Sequence, residues 1–205
     1  MFHRGMIAFV LAAAALLDSG CSRRLPRVQP PSINASSAAA KAIEMYDTDK
    51  NGSISGAELD QCPGLKAALA KIDASGDGKI TAEKIAARIR QWQDQGIGRM
   101  QFFCTVLRNG QPLAGAEVKF VPESFLGDDI KTASGKTNSR GRAPLSVPTT
   151  SRADPPGVAL GLYRVEITKP GDNIPAKYNS ATILGQEVAV DTPGIREGIV
   201  FNLQY

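Results

Sequence analysis

Histidine is almost missing from this chain. Of 205 residues one is histidine, His3, at the N-terminal end. Ser-His-Asp and Cys-His catalytic groups, the HExxH zinc site and His-based metal cages all need an imidazole held in a folded site. If the N-terminal segment is removed, no imidazole is left and these chemistries are excluded. Charge of one sign is scarce too. The formal net charge is +4, too small to argue for nucleic acid. No apolar run is long enough to span a bilayer, since Met6–Leu17 is twelve residues where about 20 are needed. Gly and Pro together number 33, which points to many turns without low complexity. With 42% hydrophobic residues the chain can bury a core, and its length allows one large domain or two small ones.

The N-terminus reads as an address. His3 and Arg4 precede the apolar run, which ends in Leu17-Asp18-Ser19-Gly20-Cys21. A basic start, a short apolar core and small residues make a secretory signal. Small residues directly before a Cys resemble the lipobox of bacterial lipoproteins, although Asp18 stands where that family prefers Leu. The resemblance implies lipidation at Cys21 and a membrane-anchored lipoprotein of the cell envelope, on the periplasmic or outer face. Plain secretion with cleavage nearby and an uncleaved anchor are the alternatives. Residues 21–37 are polar and Pro-rich and read as a tether, with Arg23, Arg24 and Arg27 suited to an anionic membrane surface.

Two twelve-residue loops follow, 26 residues apart. Asp47-Thr-Asp49-Lys-Asn51-Gly52-Ser53-Ile54-Ser55-Gly-Ala-Glu58 fits the pattern D-x-[DN]-x-[DN]-G-x5-E throughout. Alternate residues turn oxygen-bearing side chains inward, and Gly52 permits the bend. Ser53 offers its carbonyl, Ser55 acts directly or through water, and Glu58 closes the site with both oxygens. Asp73-Ala-Ser75-Gly-Asp77-Gly78-Lys79-Ile80-Thr81-Ala-Glu83-Lys84 repeats the pattern. Its ligands would be Asp73, Ser75, Asp77, the carbonyl of Lys79, Thr81 and Glu83. Its twelfth position is Lys84, a cation where the closing carboxylate belongs. The second loop is therefore expected either to bind a cation weakly or to serve as the structural mate of the first. Ile54 and Ile80 should pair between the loops. Ile43 with Tyr46, and Leu69 with Ile72, put an apolar face on each entering helix, Ser37–Tyr46 and Leu65–Ile72.

These residues resemble an EF-hand pair, whose ligand is calcium. The spacing is short because Pro63-Gly64 cut the first exit helix. A dockerin is the nearest rival, but dockerins lack entering helices.

After Gly98 the pattern changes to period two. Strands are expected near Met100–Arg108, Ala116–Pro122, Gly141–Val147, Gly161–Lys169, Thr182–Val190 and Gly198–Leu203, with a weaker one near Ile130–Thr137, which suggests an antiparallel sandwich. Asn109-Gly110-Gln-Pro112-Leu113-Ala-Gly115-Ala116-Glu-Val118, Thr137 with Gly141, and Gly161-Leu-Tyr163-Arg-Val165 resemble the carboxypeptidase-regulatory-like, or transthyretin-like, sandwich. Enzymes on related sandwiches rely on histidines, so no activity carries over, and no carboxylate spacing here implies an acid/base pair. After Arg99, eleven basic residues are dispersed among ten acidic ones, which is no nucleic-acid patch. Tyr163, Tyr178 and Tyr205 are expected in the core or at an edge. Cys62 and Cys104 are candidate disulfide partners in an exported chain; two buried thiols are the alternative.

The expectation is thus an α+β chain of two domains: signal 1–20, tether 21–37, EF-hand pair 38–98, and a β-sandwich of about seven strands over 99–205. It would be a non-enzymatic, calcium-binding envelope protein. Its partners would be the membrane through the lipid and an envelope protein or glycan. The other reading is an adhesion or carbohydrate-binding module that calcium merely braces.

Overall fold

The computed structural model describes residues 28–148 and 155–205. The expected signal segment, Cys21 and the three tether arginines lie outside the described residues. Among the described residues no helix is long and apolar enough to cross a membrane.

The helical part holds α1 (Ala35–Tyr46), α2 (Pro63–Ile72) and α3 (Ala82–Asp94), with two short strands, β1 (Ser53–Ser55) and β2 (Lys79–Thr81). A 3-10 helix, Gly56–Gln61, stands in place of a first exit helix. Each entering helix starts two residues earlier than the apolar pattern indicates, because its cap lies outside that pattern. At α1, the Asn34 side chain accepts from the Ser37 N–H at 2.9 Å, satisfying one orphan amide. The small residues Ala35, Ala38, Ala39 and Ala42 form its buried face, and α1 lies against α3. At α2, Pro63 takes the first helical position, where its missing N–H costs nothing.

The tether is shorter than expected. Ile33 is buried, and the Gln93 amide donates to its carbonyl at 2.7 Å. Burial of the isoleucine holds this stretch against α3.

The second part contains β3 (Phe103–Arg108), β4 (Gln111–Pro112), β5 (Glu117–Pro122), β6 (Ala133–Lys136), β7 (Arg142–Pro144), β8 (Gly161–Thr168), β9 (Gly185–Val188) and β10 (Ile199–Leu203). Every expected strand is present, trimmed by up to three residues at either end. One sheet runs β6-β5-β8-β9; in the other, β3 pairs with β10, β4 and β7. Phe120 of β5 meets Phe201 of β10 at 6.1 Å, and also Phe102 at 5.7 Å and Tyr163 at 5.8 Å. These rings join the two sheets face to face. The pairing departs from the wholly antiparallel expectation at one place. β10 runs parallel to β3, because the chain crosses from β9 in the opposite sheet and re-enters alongside its first long strand.

The two parts share one continuous apolar cluster. α2 packs on β8 and β9 so closely that a Cβ on Gly185 would lie 1.8 Å from the Pro63 carbonyl oxygen. Polar ties reinforce the seam. The Gly64 N–H, at the start of α2, donates to the buried Glu123 carboxylate at 2.8 Å. On α3, Arg88 donates to Glu187 of β9 at 2.6 Å and bidentately to Asp191 at 2.8 and 3.0 Å. The Trp92 indole N–H also reaches Glu187, at 3.0 Å.

The candidate disulfide is not formed. Cys62 and Cys104 are unpaired, and each is fully buried. Cys62 lies at the seam beside Tyr46 and Glu123, whereas Cys104 sits in the middle sheet position of β3, between β7 and β10. Burial raises both thiol pKa values, that of Cys104 to about 12. Tyr163 is a core residue whose hydroxyl donates to the Ala159 carbonyl at 2.8 Å; Tyr178 is buried and Tyr205 is at the surface.

Candidate metal centre

The two loops are joined by a two-stranded ribbon. β1 and β2 pair antiparallel in the register Ser53 to Thr81, Ile54 to Ile80 and Ser55 to Lys79. Both isoleucines are completely buried, each worth about 1.5–3 kcal/mol relative to exposure. The ribbon therefore fixes each loop against the other.

The first loop gathers carboxylates. Oxygens of Asp47, Asp49 and Glu58 lie within 4.8 Å of one another. Backbone amides aim these groups inward. Asp47 accepts from the Asn51 N–H at 3.0 Å and the Gly52 N–H at 2.8 Å. Asp49 accepts from the Asn51 N–H at 3.1 Å and its side-chain amide at 2.7 Å. The Asn51 side-chain oxygen Oδ1 accepts from the N–H and hydroxyl of Ser53 at 3.0 and 2.6 Å. Glu58 reaches back across the loop, accepting from the Thr48 N–H at 2.7 Å, the Thr48 hydroxyl at 3.0 Å and the Asp49 N–H at 3.3 Å. Its other oxygen accepts from the Ser55 N–H at 3.0 Å. The amide of Ser55, then those of Thr48 and Asp49, hold the Glu58 carboxyl below its usual pKa. Among the described residues, none of the ion pairs includes Asp47, Asp49 or Glu58. Three like charges are held together with no counter-cation, and every candidate ligand is oxygen. Such a set suits a hard cation.

The second loop has the same frame and a different centre. Asp73 accepts from the Gly78 N–H at 2.7 Å, the counterpart of Asp47 with Gly52. Here the Lys84 ammonium enters the loop. It lies 2.7 Å from Asp73, 2.8 Å from the Ser75 hydroxyl, 2.9 Å from Asp77 and 2.8 Å from the Lys79 carbonyl. Hydrogen bonds from Lys84 hold the carboxyls of Asp73 and Asp77 below their ordinary range. Four of the six expected ligands thus converge on a lysine. Thr81 instead caps α3, its hydroxyl accepting from the Lys84 N–H at 3.4 Å. Glu83 is in the first turn of α3, and its carboxyl is lowered by its own backbone amide and by Thr81.

A family model described as EF hand matches residues 40–63 and again residues 65–83. The two matches take in the whole first loop and all of the second but its last residue. The second match stops one residue before Lys84. No curated protein and no solved structure matches the chain.

Two features of the site were not foreseen from the sequence. Thr48 supports Glu58 through both its amide and its hydroxyl, although position 2 of the pattern is unrestricted. Lys84 was visible as a misplaced cation, but its reach back into the loop depends on side-chain direction, which spacing does not report.

Proposed function

We propose that the first loop binds one calcium ion. Asp47, Asp49, Asn51, the Ser53 carbonyl and Glu58 would supply the oxygens, with Ser55 acting directly or through water. The gathering of three carboxylate groups in a twelve-residue EF-hand loop, with no ion-pair partner among the described residues, carries this reading. Calcium is favoured over magnesium because the ligand set is all-oxygen, large and flexible, whereas magnesium demands near-ideal octahedral geometry and keeps its waters. The rest of the reading follows the sequence. The chain is exported and lipid-anchored at Cys21, and the transthyretin-like sandwich acts without catalysis as a surface for an envelope protein or glycan.

The ion would brace the molecule and not switch it. Sensor hands open to expose an apolar groove, but here α2 is already packed on β8 and β9. Calorimetric titration of the purified chain with calcium tests the proposal. Binding with Kd of about 10⁻⁵–10⁻³ M, in or near the range of extracellular modules, and its loss on Glu58→Gln, are expected. No heat of binding up to about 10 mM calcium would refute it.

A further inference from the structure

We propose that Lys84 is a resident cation: its ammonium fills the ion's place in the second loop, so that this hand is formed without metal and the chain takes a single calcium ion.

Lys84 occupies the twelfth loop position, and its backbone is in the first turn of α3. Its three N–H bonds face four oxygens at 2.7–2.9 Å, from Asp73, Ser75, Asp77 and the Lys79 carbonyl. Those positions are 1, 3, 5 and 7 of the loop, the ones that surround an ion in such a hand. The Asp73 side chain is 3% exposed and that of Lys84 23%, so the pair is largely withdrawn from water. A calcium ion entering this loop would have to expel the ammonium. It would also find no carboxylate at position 12 to close the site.

The contrast with the first loop sharpens the inference. The two loops share the same frame, down to the bond from the position-6 amide to the position-1 carboxylate. Among the described residues, one has three carboxylates and no cation partner; the other has two with a cation supplied by the chain. The ribbon transmits the result. With the second loop fixed, β2 is fixed, and through Ile54 against Ile80 it holds β1, which carries Ser53 and Ser55 of the first site. Lys84 is therefore a positioning residue for a site it does not touch. The single-ion count rests on the calcium reading of the first loop; the metal-free second hand does not.

Two measurements separate these claims. The first is amide hydrogen exchange of the native protein with and without chelator. Gly76 and Gly78, whose N–H groups donate to Asp73, should keep their protection within about twofold. Gly52 should lose at least tenfold. Parallel loss in both loops would overturn the resident cation. The second is calcium stoichiometry. The native chain should bind one ion, Glu58→Gln none, and the double variant Glu58→Gln with Lys84→Glu one again, now in the second loop. Two ions on the native chain would overturn the proposal. No ion on the native chain would refute the first-loop reading; exchange of Lys84→Met would then decide the resident cation, since Gly76 and Gly78 should lose at least tenfold in protection with Gly52 unchanged, and unchanged protection at Gly76 and Gly78 would overturn it. If the double variant fails to fold, exchange and the native count still decide it.

Discussion

Replacing Glu187 by Ala tests whether the EF-hand pair is locked to the sheets. Glu187 is 2% exposed and Arg88 4%. One carboxylate oxygen accepts from both the Arg88 guanidinium at 2.6 Å and the Trp92 indole at 3.0 Å. Removing one partner of a buried ion pair costs about 3–5 kcal/mol, because the other charge stays behind. Here Asp191 still holds the guanidinium by two bonds and is itself partly open to water, which places the expected cost at the lower end, about 3 kcal/mol. For a chain of this size that is a fall in Tm of roughly 6–12 °C. Denaturant unfolding at fixed calcium, read by Trp92 fluorescence, measures it. The double change Arg88→Leu with Glu187→Leu removes both charges, and should cost less than the sum of its single changes by about 2 kcal/mol or more. A cost below about 1 kcal/mol for Glu187→Ala, or strict additivity in the double change, would refute the lock.

Four further outcomes follow from the same geometry. Burial raises the Glu123 carboxyl pKa, against partial relief from the Gly64 amide, Cys62 and Arg164. The folded state therefore holds its proton more tightly than the unfolded chain, and this contribution to stability is present at acid pH and lost as pH rises through the folded pKa. Glu123→Gln, which keeps an acceptor for Gly64, should be more stable than the parent at pH 7, with the gap closing below about pH 4 in urea titrations. Ile80→Ala should cost about 2–5 kcal/mol in thermal or denaturant unfolding and weaken calcium binding at the first loop through the ribbon. Lys50 has a positive φ of 58° where the second loop has Gly76 at 69°. Lys50→Gly should thus be neutral or stabilising by up to about 1 kcal/mol in the same assay. The thiols of Cys62 and Cys104 should not react with a disulfide reagent in the native protein, and both should react in denaturant.

What was legible in the sequence was local and periodic. The two loops, the pairing of Ile54 with Ile80 and the strands from Phe103 to Leu203 other than β4 follow from spacing, because ligand position and side-chain face repeat at fixed intervals. What was not legible joins residues far apart. Glu123 caps α2 from 59 positions away, and Arg88 finds Glu187 across 99. The parallel run of β10 beside β3 and the separation of the two cysteines are also facts of chain path. Lys84 lies between these cases. Its charge and position stood in the pattern, and only the direction of a long flexible side chain turned a missing ligand into a substitute for the ion.

The most direct test of the account is a crystal structure of the protein grown in calcium. A single ion is predicted in the first loop, about 2.3–2.6 Å from oxygens of Asp47, Asp49, Asn51, Ser53 and Glu58, with the Lys84 ammonium still seated in the second. An empty first loop at saturating calcium, or an ion in the second loop with Lys84 turned out to solvent, would contradict it.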